Sequence, residues 1–166
     1  MGQQQLILLV LATVIVGLAI VVGIAAFTQG GDRANADAMI QDAVTIASDI
    51  QSTIRKPAPF GGVDGFDNVS FAVLGYPVTY GDGDEDSGVF VNGNGQFSLT
   101  TAEGGVVIDG LFTSNPEEDG DDGILAPADA DQHIQVLVCG MTDGDITGQT
   151  IKIGDQDTGT AVATGC

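Results

Sequence analysis

From Leu6 to Phe27 the chain holds no charged residue, and Thr13 is the one clearly polar side chain in the run. A helix rises about 1.5 Å per residue, so this run predicts a helix that spans the roughly 30 Å apolar core of a bilayer. A helix that is apolar on every side has to be surrounded by lipid or by other helices. It could serve as a cleaved signal peptide, a permanent membrane anchor, or the buried core helix of a filament of many copies. The start, Met1-Gly2-Gln3-Gln4-Gln5, carries no Lys or Arg, and the run is longer than a signal peptide needs. Gly23-Ile24-Ala25 has the small-x-small form of a cleavage site, but the missing basic start favours a segment that stays attached.

Past Phe27 the pattern changes. Gly30 and Gly31 are adjacent, and each weakens a helix by about 1 kcal/mol. Asp32 suits the cap of a new start, so a kink or an unwound stretch is expected at this site. Met39, Ala43, Ile46, Ile50 and Ile54 then recur at steps of four and three, which is one face of a helix. Asp37, Asp42 and Asp49 belong to its more polar surface. Arg55 and Lys56 stand where cations favour a helix C-terminus, and Pro57 and Pro59 stop the helix. The chain therefore predicts helix from about Gln3 to Arg55, apolar all round in its first half and amphipathic in its second.

From Ala58 the periodicity shortens. Phe60 to Asn68 is Gly-rich and loop-like, and Val69 to Tyr76 reads as a strand ended by Pro77. Gly88 to Val91, the turn residues Asn92-Gly93-Asn94-Gly95, and Gln96 to Thr100 make a hairpin signal. Gly105 to Phe112 and the strongly apolar His133 to Met141 read as further strands, with Thr150 to Ile153 as another and Thr160 to Thr164 returning the tail to the domain. Two acidic loops interrupt them, Gly81 to Gly88 and Thr113 to Gln132. The fold class expected is α+β, a long N-terminal helix packed on a small antiparallel β-sheet. It divides into a polar start (1–5), an apolar helix (6–27), an amphipathic extension (28–56) and an acidic β-rich head (57–166).

Charge narrows the partners. The formal net charge is −19, with Asp and Glu numbering 23 against the four cations Arg33, Arg55, Lys56 and Lys152. Phosphate binding needs a basic surface, so direct binding of nucleic acid is excluded, and an anionic lipid surface does not attract this head. Such a surface repels itself in dilute buffer and is relieved at about 1 M salt, where the Debye length is near 3 Å. The excess of Asp over Lys reads as adaptation to a salty environment; a solvated acidic face on an ordinary secreted protein is the plainer account. The cysteines are Cys139 and Cys166. Two free thiols are one reading; a bridge is the stronger one if the apolar helix places the head outside the cytoplasm.

Catalytic patterns are sparse. His133 is the one histidine and begins a strand, with no Ser or Cys pattern marking it as a base. No zinc-ligand cluster, phosphate loop or nucleophile elbow is present, so neither an enzyme nor a cofactor is expected. Asp82, Asp84 and Asp86 alternate as calcium-loop ligands do, but Ser87 and Gly93 occupy the positions where such a loop needs Gly and Glu. Asn68-Val69-Ser70 is a glycosylation sequon.

The layout resembles the type IV pilin superfamily. The resemblance lies in residues 1–56, an apolar helix running into an amphipathic one, and in Cys139 with Cys166 near the C-terminus. It implies a subunit anchored in the membrane by its apolar half before assembly, then polymerised with other copies of itself into an extracellular filament by a pilus assembly machinery. The residues it assigns to assembly are Gln5, Leu6, Leu9, Val16, Gly17, Gly23 and Phe27. Where the family usually has Glu at the fifth mature position, this chain has Gln5 counted from Met1, or Ile7 counted from Gln3. Gln5 can hydrogen-bond a neighbouring terminus in an apolar bundle without the cost of burying a charge. A secretion-system pseudopilin shares the layout. A monomeric anchored β domain binding a ligand or cell-wall component is the alternative from another class.

Overall fold

A computed structural model describes residues 2–79, 88–102, 104–114, 125, 130–153, 156–157 and 166. Helix α1, Gly2–Arg55, takes up the first third of the chain. The chain divides into two compact units, Met1–Ala34 and Asn35–Cys166.

The first unit is the apolar part of α1. Gly30 and Gly31 lie inside the helix, so of the kink or unwound stretch expected there the unwound stretch is absent. Helix propagation is cooperative, and a pair of glycines flanked by good helix formers such as Ala25, Ala26 and Ala34 is carried along.

The second unit is an antiparallel sheet with the amphipathic part of α1 on one face. Its strands are β1 (Phe90–Val91), β2 (Gln96–Ala102), β3 (Gly105–Phe112), β4 (Gln132–Val138), β5 (Ile146–Ile153) and β6 (Gln156–Asp157). They lie side by side in chain order, a meander in which each strand pairs with the next. The hairpin between β1 and β2 closes as its sequence predicts. Asn92 Oδ1 accepts from the Asn94 and Gly95 N–H groups at 2.8 and 3.0 Å.

The predicted stripe of α1 is the buried one. Met39, Ala43, Ile46 and Ile50 are at most 1% exposed, and Ile54 packs against them. They meet Phe97 of β2, Val106 and Ile108 of β3, and Ile134, Val136 and Val138 of β4. Burying each large aliphatic side chain contributes about 1.5–3 kcal/mol, so this layer contributes substantially to the head's cohesion. Gly110 faces the same layer from β3. A Cβ there would stand 2.7 Å from the Ile134 side chain and 3.1 Å from the Phe97 ring, so the packing needs its missing side chain.

Val69 to Tyr76 is not a strand. Phe71–Leu74 forms a single helical turn, α2, capped by the Ser70 hydroxyl on the Val73 N–H at 3.4 Å and ended by Gly75 at φ 84°. Local capping wins over the β preference of the valines, and the turn aims Phe71 into the core beside Phe90 and Tyr76. Strand β4 stops at Val138, short of Met141, and β5 begins at Ile146, ahead of Thr150. Thr160 to Thr164 lie outside the described residues.

Candidate functional site

The residues assigned to assembly lie on bare helix. Leu6 is 66% exposed, Leu9 64%, Val16 57% and Phe27 85%, and no residue of the most apolar window of α1 is buried. Gln5 is exposed as well. A Cβ built on Gly17 or Gly23 meets nothing within 4 Å, so both leave shallow notches where another helix can approach. The two hydroxyls are already spent. Thr13 Oγ1 donates to the Val10 carbonyl at 2.8 Å and Thr28 Oγ1 to the Ile24 carbonyl at 3.2 Å. The surface is thus apolar with its polar groups satisfied internally, the condition for residence in lipid or in a helix bundle. By length and composition this helix suits membrane anchoring or a signal sequence.

Within the second unit, side chains on the margin of the buried stripe fasten α1 to the sheet. Asn35 Nδ2 donates to Gln132 Oε1 at 3.0 Å and to the Asn94 carbonyl at 3.3 Å. Asp42 Oδ2 accepts from Asn92 Nδ2 and Asn94 Nδ2 at 2.9 and 2.7 Å, and Asp49 Oδ2 accepts from the Tyr76 hydroxyl at 2.6 Å. Burial, the hydrogen bond to Asp49, and the charges of Asp49 and Asp42 push the Tyr76 phenol up to about 12. Gln51, 4% exposed, donates to the Gly140 and Thr142 carbonyls at 2.8 and 3.0 Å. Helical periodicity places Asp42 and Asp49 on the polar side; it gives no sign that asparagines and a tyrosine elsewhere in the chain would claim them.

The cysteines form one bridge, Cys139 to Cys166, with Cα atoms 5.5 Å apart. It sits where β4 ends, against Gly104 and Gly105. A Cβ on Gly105 would stand 2.6 Å from Cys166 Sγ. The loop after Cys139 is set by Thr142 and Asp145, which cap each other's backbone. Hydrogen bonds from the Thr142 side chain and backbone hold the Asp145 carboxyl below its ordinary range. A bridge of this kind persists in an oxidising compartment, which points outside the cytoplasm.

His133 lies on the sheet face away from α1. Its Nε2 is 3.0 Å from Asp109 Oδ1, which also accepts from Gln135 Nε2 at 2.6 Å. In register, Asp109 stands between Ser98 of β2 and Gln135 of β4. The carboxylate therefore lies between the imidazole and the strand that carries Ser98, whereas a proton relay needs the imidazole in the middle. The cluster pins β3 to β4. Asn68 is exposed, and its Nδ2 donates to the Asp64 carbonyl at 3.0 Å. Asp82, Asp84 and Asp86 lie outside the described residues.

Comparison with models of protein families, with curated proteins and with solved structures finds no match to this chain.

Proposed function

We propose that this chain is the structural subunit of an extracellular filament resembling a type IV pilus, and that it polymerises through Leu6 to Phe27. One observation carries the reading: the side chains of that run are exposed on every face of α1. Large apolar side chains left in water forgo about 1.5–3 kcal/mol each, so the segment must be covered. Lipid covers it before assembly and other copies of the same helix cover it afterwards. A simple anchor needs only that segment. Here the same helix continues into a buried stripe clamped by Asn35, Asp42, Asp49 and Gln51, which fixes the head to its end of α1. Repeated head-to-tail contacts between identical subunits then generate an open helical polymer. No chemistry is assigned to the head, which faces solvent as a disulfide-closed, acidic shell; a net charge of −19 suits a salty medium and keeps finished fibres apart.

Negative-stain imaging of the purified full chain at high salt tests the reading. Thin fibres of uniform diameter are expected. Dispersed particles that associate with detergent or vesicles would replace the filament with a monomeric anchored domain.

A further inference from the structure

Where α1 ends, two exposed cations stand side by side. Arg55, Lys56, Pro57, Ala58, Pro59 and Phe60 are all exposed. Phe60 is 79% exposed, whereas the other large apolar side chains left open among the described residues of the second unit, Val44, Val73, Val91 and Met141, are 39–44% exposed. The segment is held in shape. Pro57 starts a 3-10 turn over Ala58–Phe60, the Phe60 N–H donates to the Pro57 carbonyl at 2.9 Å, and Gly61 closes the turn at φ 82°.

The two cations are unspent. Among the described residues no Lys or Arg forms an ion pair, Arg55 and Lys56 included, and Lys152 donates to the Ala130 carbonyl at 2.6 Å. Phe and Arg are both enriched at protein interfaces, and a backbone preorganised by Pro57 and Pro59 lowers the entropy lost on docking.

We propose that Arg55–Phe60 is a docking knob for the acidic head of a second copy of this chain. The proposal rests on the filament reading and adds to it a contact between heads. Charge complementarity selects the occupant. Outside this knob the second unit has one further cation, Lys152, so a neighbouring copy presents the carboxylates that Arg55 and Lys56 lack. Phe60 supplies the part of the contact that salt does not screen.

The test uses full-length protein with photoreactive p-benzoylphenylalanine in place of Phe60. Irradiated fibres should give covalent dimers and higher multiples joined through the head. In parallel, the Arg55→Glu, Lys56→Glu pair should raise the concentration needed for assembly about tenfold at about 0.1 M salt, with the difference shrinking at about 1 M. Phe60→Ala should weaken assembly at both salts. All three side chains are exposed, so a melting temperature unchanged at about 1 M salt, where the added acidic charge is screened, serves as the folding control. Fibres of the photoreactive variant that cross-link to no second copy, or only to another molecule, overturn the knob and leave the filament standing. So do variants that assemble at the wild-type concentration. A wild type that forms no fibres overturns both.

Discussion

The hydroxyl of Tyr76 lies 2.6 Å from Oδ2 of Asp49, and it ties the segment after α2 to the helix that carries the head. Folding holds this phenol neutral. Its pKa is raised from 10.0 to about 12, so the stability it contributes is complete below pH 10 and is lost as pH rises through the interval up to about 12. Tyr76→Phe should cost about 1 kcal/mol at neutral pH and flatten the alkaline limb of the stability curve. Urea melts at pH 7, 10 and 11.5 would show both effects. An equally steep alkaline limb in the variant would assign it to other groups.

The bridge from Cys139 to Cys166 closes a loop with a sequence separation of 27. In the chain-entropy account such a closure is worth about 3–4 kcal/mol. Cys166→Ser, melted beside the oxidised wild type, should lose about that much. Retained stability would mean that β4 and the loop latched by Gln51 hold without it.

A charge in the middle of the bare helix should be decisive for assembly. Val16→Asp costs about 2.5–3.5 kcal/mol for membrane insertion alone, and a buried bundle offers the carboxylate no partner. Fibres should disappear in electron micrographs while the head keeps its melting temperature. Fibres of normal diameter from this variant would place the polymer contacts elsewhere.

Salt should govern the head's stability. With acids outnumbering basic residues 23 to 4, lowering salt from about 3 M to 0.1 M unscreens repulsion across the surface. The melting temperature should fall steadily over that range. A flat profile would remove the reading of the charge as adaptation to brine.

Much of this arrangement is legible in the chain itself. The stripe from Met39 to Ile54, the Asn92–Gly95 turn and the strand Gly105–Phe112 follow from spacing, because each is dictated by its own neighbours in sequence. What escapes is set by partners far along the chain. Asp42 and Asp49 look like solvated surface until Asn92, Asn94 and Tyr76 arrive from 27 to 52 residues away. Val69 to Tyr76 has strand composition, yet Ser70 and Gly75 close a helical turn within it. Gly30 and Gly31 look like an unwound stretch yet stay helical, because propensity scores each residue alone and helix formation is cooperative. For the candidate assembly surface, exposure is equally legible, since Leu6 to Phe27 is apolar on every side of the helix and has no polar face to turn to water.

The back-bonded hydroxyls of Thr13 and Thr28 have a mechanical consequence. Packed together, such helices would share no directional bond between Leu6 and Phe27, only greasy contact that is much the same one turn further along. A fibre held by this seam alone, its heads released by Phe60→Ala, would yield under tension by slippage before it snapped, and recover on release. Pulling single fibres of this variant in an optical trap would show a reversible extension plateau; a brittle linear response up to rupture would mean that its neighbours are keyed by something other than this seam.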